Sequence, residues 1–173
     1  MLDWNRLFVE GLLYGLGLSL ILTLLSVIIG SIVLDMFVDN YPPAIRHKYG
    51  PMSPRAARLR PYLAPLLFIP IIVVPVLGLF HLQTTSASIG FWSAFAFSGI
   101  TLLSFNLFDL FILDWLFFCT IQPRAMVLPG TEGMAAYRDY RFHFIGFLKG
   151  LIFTLVGSLI VAVLWMVIQR FIL

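Results

Sequence analysis

The stretch LLYGLGLSLILTLLSVIIGSIVL, residues 12–34, contains no Asp, Glu, Lys or Arg. At a rise of about 1.5 Å per residue, about 20 mostly apolar residues cross the hydrocarbon core of a bilayer as a helix. Three further stretches meet this requirement, at about 62–82, 91–118 and 147–168. The sequence therefore predicts an all-α fold: a four-helix transmembrane bundle that forms a single integral membrane domain over residues 1–173.

The composition agrees with a chain that is surrounded by lipid. Hydrophobic residues make up 61% of the sequence and charged residues only 11%, whereas soluble domains carry about 25% charged residues. The lone cysteine, Cys119, excludes an internal disulfide and a cysteine-based zinc site. Because the basic residues lie between apolar spans and form no continuous basic face, we expect no nucleic-acid partner, and no cofactor is predicted.

The distribution of Lys and Arg predicts how the chain crosses the membrane. Nine of the 11 basic residues fall in loops 35–61 and 120–149, which leaves Arg6 and Arg170. The positive-inside rule then places both loops in the cytoplasm and both termini outside. The first span is too long for the core of a signal peptide and follows an acidic leader, so we expect a retained helix. The expected location is a bacterial cytoplasmic membrane.

Small residues mark the faces on which membrane helices approach each other, because lipid supplies no hydrophobic drive between helices. The first span carries a stripe of Gly11, Gly15, Ser19, Thr23, Ser26 and Gly30. The fourth carries Gly146, Gly150, Thr154, Gly157 and Ser158. We expect these two spans to pack antiparallel on each other, or alternatively to form the contact of a homo-oligomer.

Two aspartates interrupt the aromatic run FDLFILDWLFFC, residues 108–119, near the end of the third span. Trp92 and Trp115 are spaced like two interfacial aromatic belts. On this scale Asp114 lies at the cytoplasmic interface and Asp109 lies deeper in the bilayer. An acid at the centre of a membrane helix costs about 2.5–3.5 kcal/mol on insertion scales. The deeper aspartate is therefore the more informative one.

Asp109 shares one side of the α-helical wheel with small and polar residues: Ala94, Ser98, Thr101 and Asn106. We expect its side chain to face the bundle interior, with Asn106 as a hydrogen-bond neighbour. Three roles stay open: a structural acid paired with an arginine or a helix terminus, a proton or cation carrier, and part of a catalytic or ligand site.

The first basic loop carries signals for two short interfacial helices. Pro42–Pro43 is typical of a helix start, and Gly50 is typical of a helix end. Ser53 and Pro54 then predict the cap and first turn of a second helix. This second helix would present three arginines to anionic lipid headgroups: Arg55, Arg58 and Arg60. Alternatively, the arginines only set the orientation of the chain.

Polar side chains concentrate near the predicted cytoplasmic face and form the candidate site. Its members are Asp35, Asp39, Asn106, Asp109, Asp114, Glu132, Arg138, Asp139, Arg141 and His143. Glu132, Asp139 and His143 are chemically able to bind a metal or move protons. No His-x-x-His or Glu-x-x-His spacing occurs, so a metal site is not predicted. The alternative is an interfacial aromatic belt with ion pairs.

The segments NYPPAIRHKYGPMS, residues 40–53, and LPGTEGMAAYRDYRFHF, residues 128–144, resemble loops of a family of small four-span bacterial membrane proteins. The resemblance covers these loops and the end of the third span. It implies no activity, substrate or catalytic residue.

Three functions are compatible with these features. The first is a non-enzymatic binding or accessory protein that contacts lipid headgroups or a membrane partner through the polar layer. The second is a membrane-embedded enzyme, or binder of a lipid-soluble small molecule, that uses Asp109. The third is a small-solute or proton-coupled transporter that must self-associate, because four spans enclose little space. The sequence carries no phosphate-binding glycine loop, Cys-x-x-Cys pair, Gly-x-Ser-x-Gly elbow or zincin helix.

Overall fold

The computed structural model describes residues 3–84 and 88–171, which form helices and turns without a β-strand. Four helical stretches in these ranges are long and apolar enough to cross a membrane. They are Trp4–Asn40, Pro54–Gln83, Phe91–Ile121 and Tyr140–Phe171. The predicted all-helical fold with four spans is confirmed, and the chain is a multi-pass membrane protein by these features. Its orientation stays a prediction.

The spans are built from α-helices with extensions of other helix types. In chain order the α-helices are α1 (Trp4–Val33), α2 (Pro43–Tyr49), α3 (Pro54–Gln83), α4 (Phe91–Phe108) and α5 (Tyr140–Phe171). A 3₁₀ segment, Leu34–Asn40, extends α1, and a π-helix, Asp109–Ile121, extends α4. Two short 3₁₀ turns, Arg124–Met126 and Ala135–Arg138, precede α5. We call Asp109–Ile121 the π segment.

The helix ends follow from local sequence. Gly50 adopts a φ of 95° and ends α2, which is the helix predicted between the two prolines and this glycine. Ser53 caps α3 by accepting a hydrogen bond of 3.2 Å from the Ala56 amide. The second short helix predicted here is instead the first part of α3, because the helix continues through its interior prolines to Gln83.

Helix α4 is the central helix of the bundle, and its most extensive contacts are with α5 and α1. The small residues of α1 face it closely. A Cβ atom added at Gly11 would lie 2.9 Å from Cγ2 of Ile100, and one at Gly15 would lie 2.5 Å from Cβ of Ser104. The Thr101 hydroxyl donates across the same contact to the Gly11 carbonyl over 3.3 Å.

The stripe on α5 meets the opposite side of α4. A Cβ atom at Gly150 would collide with the Asn106 side chain, and one at Gly157 would lie 3.0 Å from Leu102. Gly146 has nothing within 4 Å of its added Cβ. The two stripes were expected to pack on each other, and the structure corrects this: the glycines of each stripe that make close contacts meet α4 instead.

The loops that follow α1 and the π segment fold together into what we call the loop roof, residues 34–53 and 122–139. Its centre is an aromatic cluster in which the Tyr41 ring lies 5.1 Å from Phe118 and 6.3 Å from Tyr137. Tyr41 donates to the Met126 carbonyl over 3.0 Å, and the Tyr137 hydroxyl accepts from the Leu128 amide over 3.0 Å. The roof is therefore a packed unit that closes one end of the bundle.

The opposite end of the bundle holds a polar cluster of its own. Arg6 and Glu10 form an ion pair of 2.6 Å. The Tyr14 hydroxyl lies 3.1 Å from Nδ1 of His81, and the same nitrogen lies 3.7 Å from Glu10. The sequence showed His81 as an isolated residue, because its partners lie on α1, far away along the chain.

Candidate functional site

The third span changes its helical geometry where the two aspartates occur. The Gln122 amide donates to the Phe117 carbonyl over 2.8 Å, so this hydrogen bond joins residues five apart. The Thr120 hydroxyl likewise donates to the carbonyl of Trp115, five residues before it. Gln122 then ends the segment with a φ of 52°. Helices with this hydrogen bonding are rare, usually a single turn long, and frequent at functional sites.

The π geometry decides where the two carboxylates point. In an α-helix, residues five apart are separated by roughly 140° around the axis. Where hydrogen bonds join residues five apart, such residues lie one turn apart on nearly the same side. Asp109 and Asp114 accordingly face the same cavity, together with Leu113, Phe117 and Phe118. The residues on this face recur along the chain at spacings of four or five positions.

The cavity has a volume of about 530 Å³ and is bounded by α1, α3, the π segment and the loop roof. This volume lies within the usual range of ligand pockets, about 300–1,000 Å³. Apolar side chains supply most of its lining. They include Leu22 and Val27 of α1, Leu67 and Ile71 of α3, and Leu113 of the π segment. Its walls thus suit an apolar ligand.

The cavity is partly open, and its most exposed lining residues show where. The exposed apolar lining residues of the spans are Val27, Phe68 and Phe117, at 52%, 67% and 36%, and each belongs to a different spanning helix; Asn40 and Ala125, towards the loop roof, are exposed as well. Apolar side chains exposed on spanning helices are the ones that lipid covers. The mouth of the cavity therefore lies partly on the surface that the spans present to the membrane and extends towards the loop roof.

A hydrogen-bonded pair forms part of the cavity's polar end. Nδ1 of His143 lies 2.9 Å from Oδ1 of Asp114. The His143 ring is 5% exposed and packs at 4.7 Å from the Phe118 ring. This packing and the bond to Asp114 fix the orientation of the imidazole. Because Nδ1 faces the carboxylate, the neutral histidine would carry its proton there.

Two polar groups at this end lack a partner. Nε2 of His143 is buried without a hydrogen bond. Within residues 3–84 and 88–171, no ion pair or side-chain hydrogen bond joins Asp109 to another residue. A fully buried polar atom without a partner costs about 1–3 kcal/mol and calls for an explanation, which applies to Nε2 of His143; Asp109 is half-buried. The arginine partner considered for Asp109 is not part of this site.

Other members of the predicted site have local partners away from the cavity. Asn106 donates to the Phe147 carbonyl of α5 over 3.3 Å, and not to its expected neighbour Asp109. Asp35 accepts from the Ser53 amide over 2.7 Å. Burial raises the pKa of the adjacent Tyr49. The negative charge of Asp35 and the hydrogen bond between the Asp35 and Tyr49 side chains raise it further.

The remaining predicted polar residues lie on the loop roof or at helix starts. Asp39 forms an exposed ion pair of 3.0 Å with Arg60. Glu132 is exposed and accepts from the Gly130 amide; backbone hydrogen bonds from its own amide and from that of Gly130 lower its pKa. Asp139 accepts from the Phe142 amide over 2.9 Å, at the start of α5. The remaining predicted basic residues are exposed as well: Arg55, Arg58, Arg138 and Arg141.

Of the predicted polar set, the structure brings Asp109, Asp114 and His143 together at one cavity. Sequence reasoning assigned Thr23 and Ser26 to helix packing, yet both line this cavity. It also did not single out Asn40 and Tyr41, which line it from the loop roof. A signal for the site was available in the four- and five-residue intervals between polar and aromatic residues of the third span.

No protein-family model, no curated protein and no solved structure matches the chain.

Proposed function

We propose that this membrane protein binds a lipid-soluble small molecule in the cavity beside the π segment. The observation that carries the proposal is the combination of apolar walls, a membrane-facing mouth and a polar end formed by Asp109, Asp114 and His143. Ligand sites are mostly apolar concavities with a few polar groups that fix the orientation of the ligand. The ligand would enter from the bilayer and place its polar group against the two carboxylates.

The cavity supports this proposal better than it supports contact with headgroups through a polar layer. Two acids of the predicted polar layer, Asp35 and Asp139, bond to nearby backbone amides and do not line the cavity. Arg60 is engaged with Asp39, and this exposed pair lies outside the cavity lining. Exposed ion pairs of this kind contribute little energy, with a typical value of about 0–1 kcal/mol.

A photoreactive long-chain alkanol tests the proposal directly. The protein is placed in phosphatidylcholine nanodiscs, irradiated with a diazirine-bearing hexadecanol, and the labelled residues are mapped by mass spectrometry. We expect labels on the π segment and on the cavity-facing sides of α1 and α3. Unlabelled hexadecanol should reduce them. Labels spread equally over the exposed face of α5 would contradict a specific cavity.

A matched pair of variants on α1 provides the control. Ser26 lines the cavity, whereas Ser31 is exposed and lies outside the lining. Ser26→Trp should fill the cavity and abolish competable labelling, while Ser31→Trp should leave it unchanged. Helix content measured by circular dichroism should be the same for both. Undiminished labelling in the Ser26 variant would overturn the proposed binding site.

A further inference from the structure

The cavity lining contains two acidic side chains, and its basic side chains are limited to a histidine in the described part of the chain. Its ionisable side chains, in the described part of the chain, are Asp109, Asp114, Tyr41 and His143, and no Lys or Arg contributes. With the carboxylates ionised, two negative charges face at most one positive charge on His143, so the cavity is net negative whichever form the histidine takes. Ionising Asp109 without a partner in an apolar environment is costly, and a charge of opposite sign from a ligand would offset that cost and favour the ionised form.

Aromatic rings surround the same space. Six of them line the cavity: Phe37, Tyr41, Phe68, Phe105, Phe117 and Phe118. The faces of aromatic rings attract cations, and cages of such rings are used to bind quaternary ammonium groups. This observation is independent of the aspartates and indicates the same sign of ligand charge.

We propose that the cavity selects lipophilic cations, meaning molecules that carry an ammonium or phosphonium centre among apolar groups. This inference rests on the proposed function, because it specifies the ligand of the same cavity. The cationic centre would lie between Asp109 and the aromatic rings, and its apolar groups would occupy the part of the cavity towards α1 and α3. An anionic lipid headgroup would instead meet two carboxylates without a basic residue in the lining.

Two ions of nearly equal size and shape test the sign of this selectivity. Binding of tetraphenylphosphonium and of tetraphenylborate is measured by equilibrium dialysis against protein in phosphatidylcholine nanodiscs, and binding to empty nanodiscs is subtracted. We expect the protein to bind the cation at least about tenfold more tightly than the anion. Equal binding of the two ions, or tighter binding of the anion, would overturn the inference.

Asp109→Asn is the informative variant. Asp109 has no side-chain partner to lose among residues 3–84 and 88–171, so the change should remove charge and leave the fold intact. It should abolish most of the cation preference, whereas Asp39→Asn, an equal change of charge outside the cavity, should retain it. A cation preference that persists undiminished in Asp109→Asn would refute the role of this carboxylate and with it the inference.

The labelling experiment separates the two proposals. If hexadecanol still labels the cavity competitively while the cation has no advantage, the charge selectivity is refuted and the binding function stands. If neither the alkanol nor either ion occupies the cavity, the binding function itself is refuted.

Discussion

The substitution Gly15→Ala tests the central position of α4. A Cβ atom at Gly15 would lie 2.5 Å from Cβ of Ser104 and 2.8 Å from the carbonyl oxygen of Thr101. The carbonyl belongs to the backbone of α4, so no side-chain rotation relieves this contact. The helices must separate, or the alanine must remain in a strained position.

Gly17 on the same helix is the reference for the loss of stability expected from Gly15→Ala. Its added Cβ would have nothing within 4 Å. Replacing a helical glycine with alanine gains up to about 1 kcal/mol from backbone propensity alone. Overpacking of a close contact costs about 1–3 kcal/mol. Because propensity acts equally at both positions, Gly15→Ala should be less stable than Gly17→Ala by about 1–3 kcal/mol.

Unfolding by sodium dodecyl sulfate in mixed lipid–detergent micelles, followed by circular dichroism, measures this difference. The midpoint for Gly15→Ala should shift to a lower fraction of dodecyl sulfate, and the midpoint for Gly17→Ala should stay or rise. Coincident midpoints for the two variants would refute the close contact between α1 and α4 at this position.

Three further predictions concern the other side of α4, the loop roof and alkaline pH. Gly150→Ala should be destabilised relative to Gly146→Ala in the same unfolding assay, because only the former meets a side chain of α4. Asp35→Ala should lower the free energy of unfolding by about 1–3 kcal/mol, because the part-buried Ser53 amide loses its hydrogen bond to a charged group, whereas Asp39→Ala, in an exposed pair, should change it by less than about 0.5 kcal/mol. Burial raises the pKa of Tyr41, as do two neighbouring tyrosines, so the folded state holds this proton more tightly and stability should fall above pH about 10. Tyr41→Phe should weaken that fall when unfolding midpoints are compared from pH 8 to 11.

The spans could be predicted because apolar length alone determines them. The stretch 12–34 lies within Trp4–Asn40, and the same holds for the other three. The ends of the helices were harder to predict from the sequence. The polar residues before 147 suggested a loop, yet α5 begins at Tyr140, where Asp139 accepts from a free amide of the first turn. Capping by a local side chain outweighed the change in hydropathy.

Helix pairing could not be read from the small residues. Glycine stripes show that a face is packed, but they carry no information about the partner. The partner of both stripes is α4, which offers Ser104 to α1 and Asn106 to α5. Recognising this helix as central requires knowing that its two sides are both occupied, and this depends on the arrangement of the whole bundle.

The spacing of the two aspartates follows from the geometry of the π segment. In an α-helix, side chains that share a face recur after three or four residues, and an acid five positions on would point elsewhere. With hydrogen bonds between residues five apart, the same spacing places Asp109 and Asp114 at one cavity. The histidine on α5 meets the second acid, and the first stays unpaired. An arrangement that leaves one carboxylate unpaired in an apolar cavity raises the energy of the empty protein. A ligand of complementary charge would offset that energy by pairing with the ionised carboxylate, and this favours a lipophilic cation as the proposed ligand.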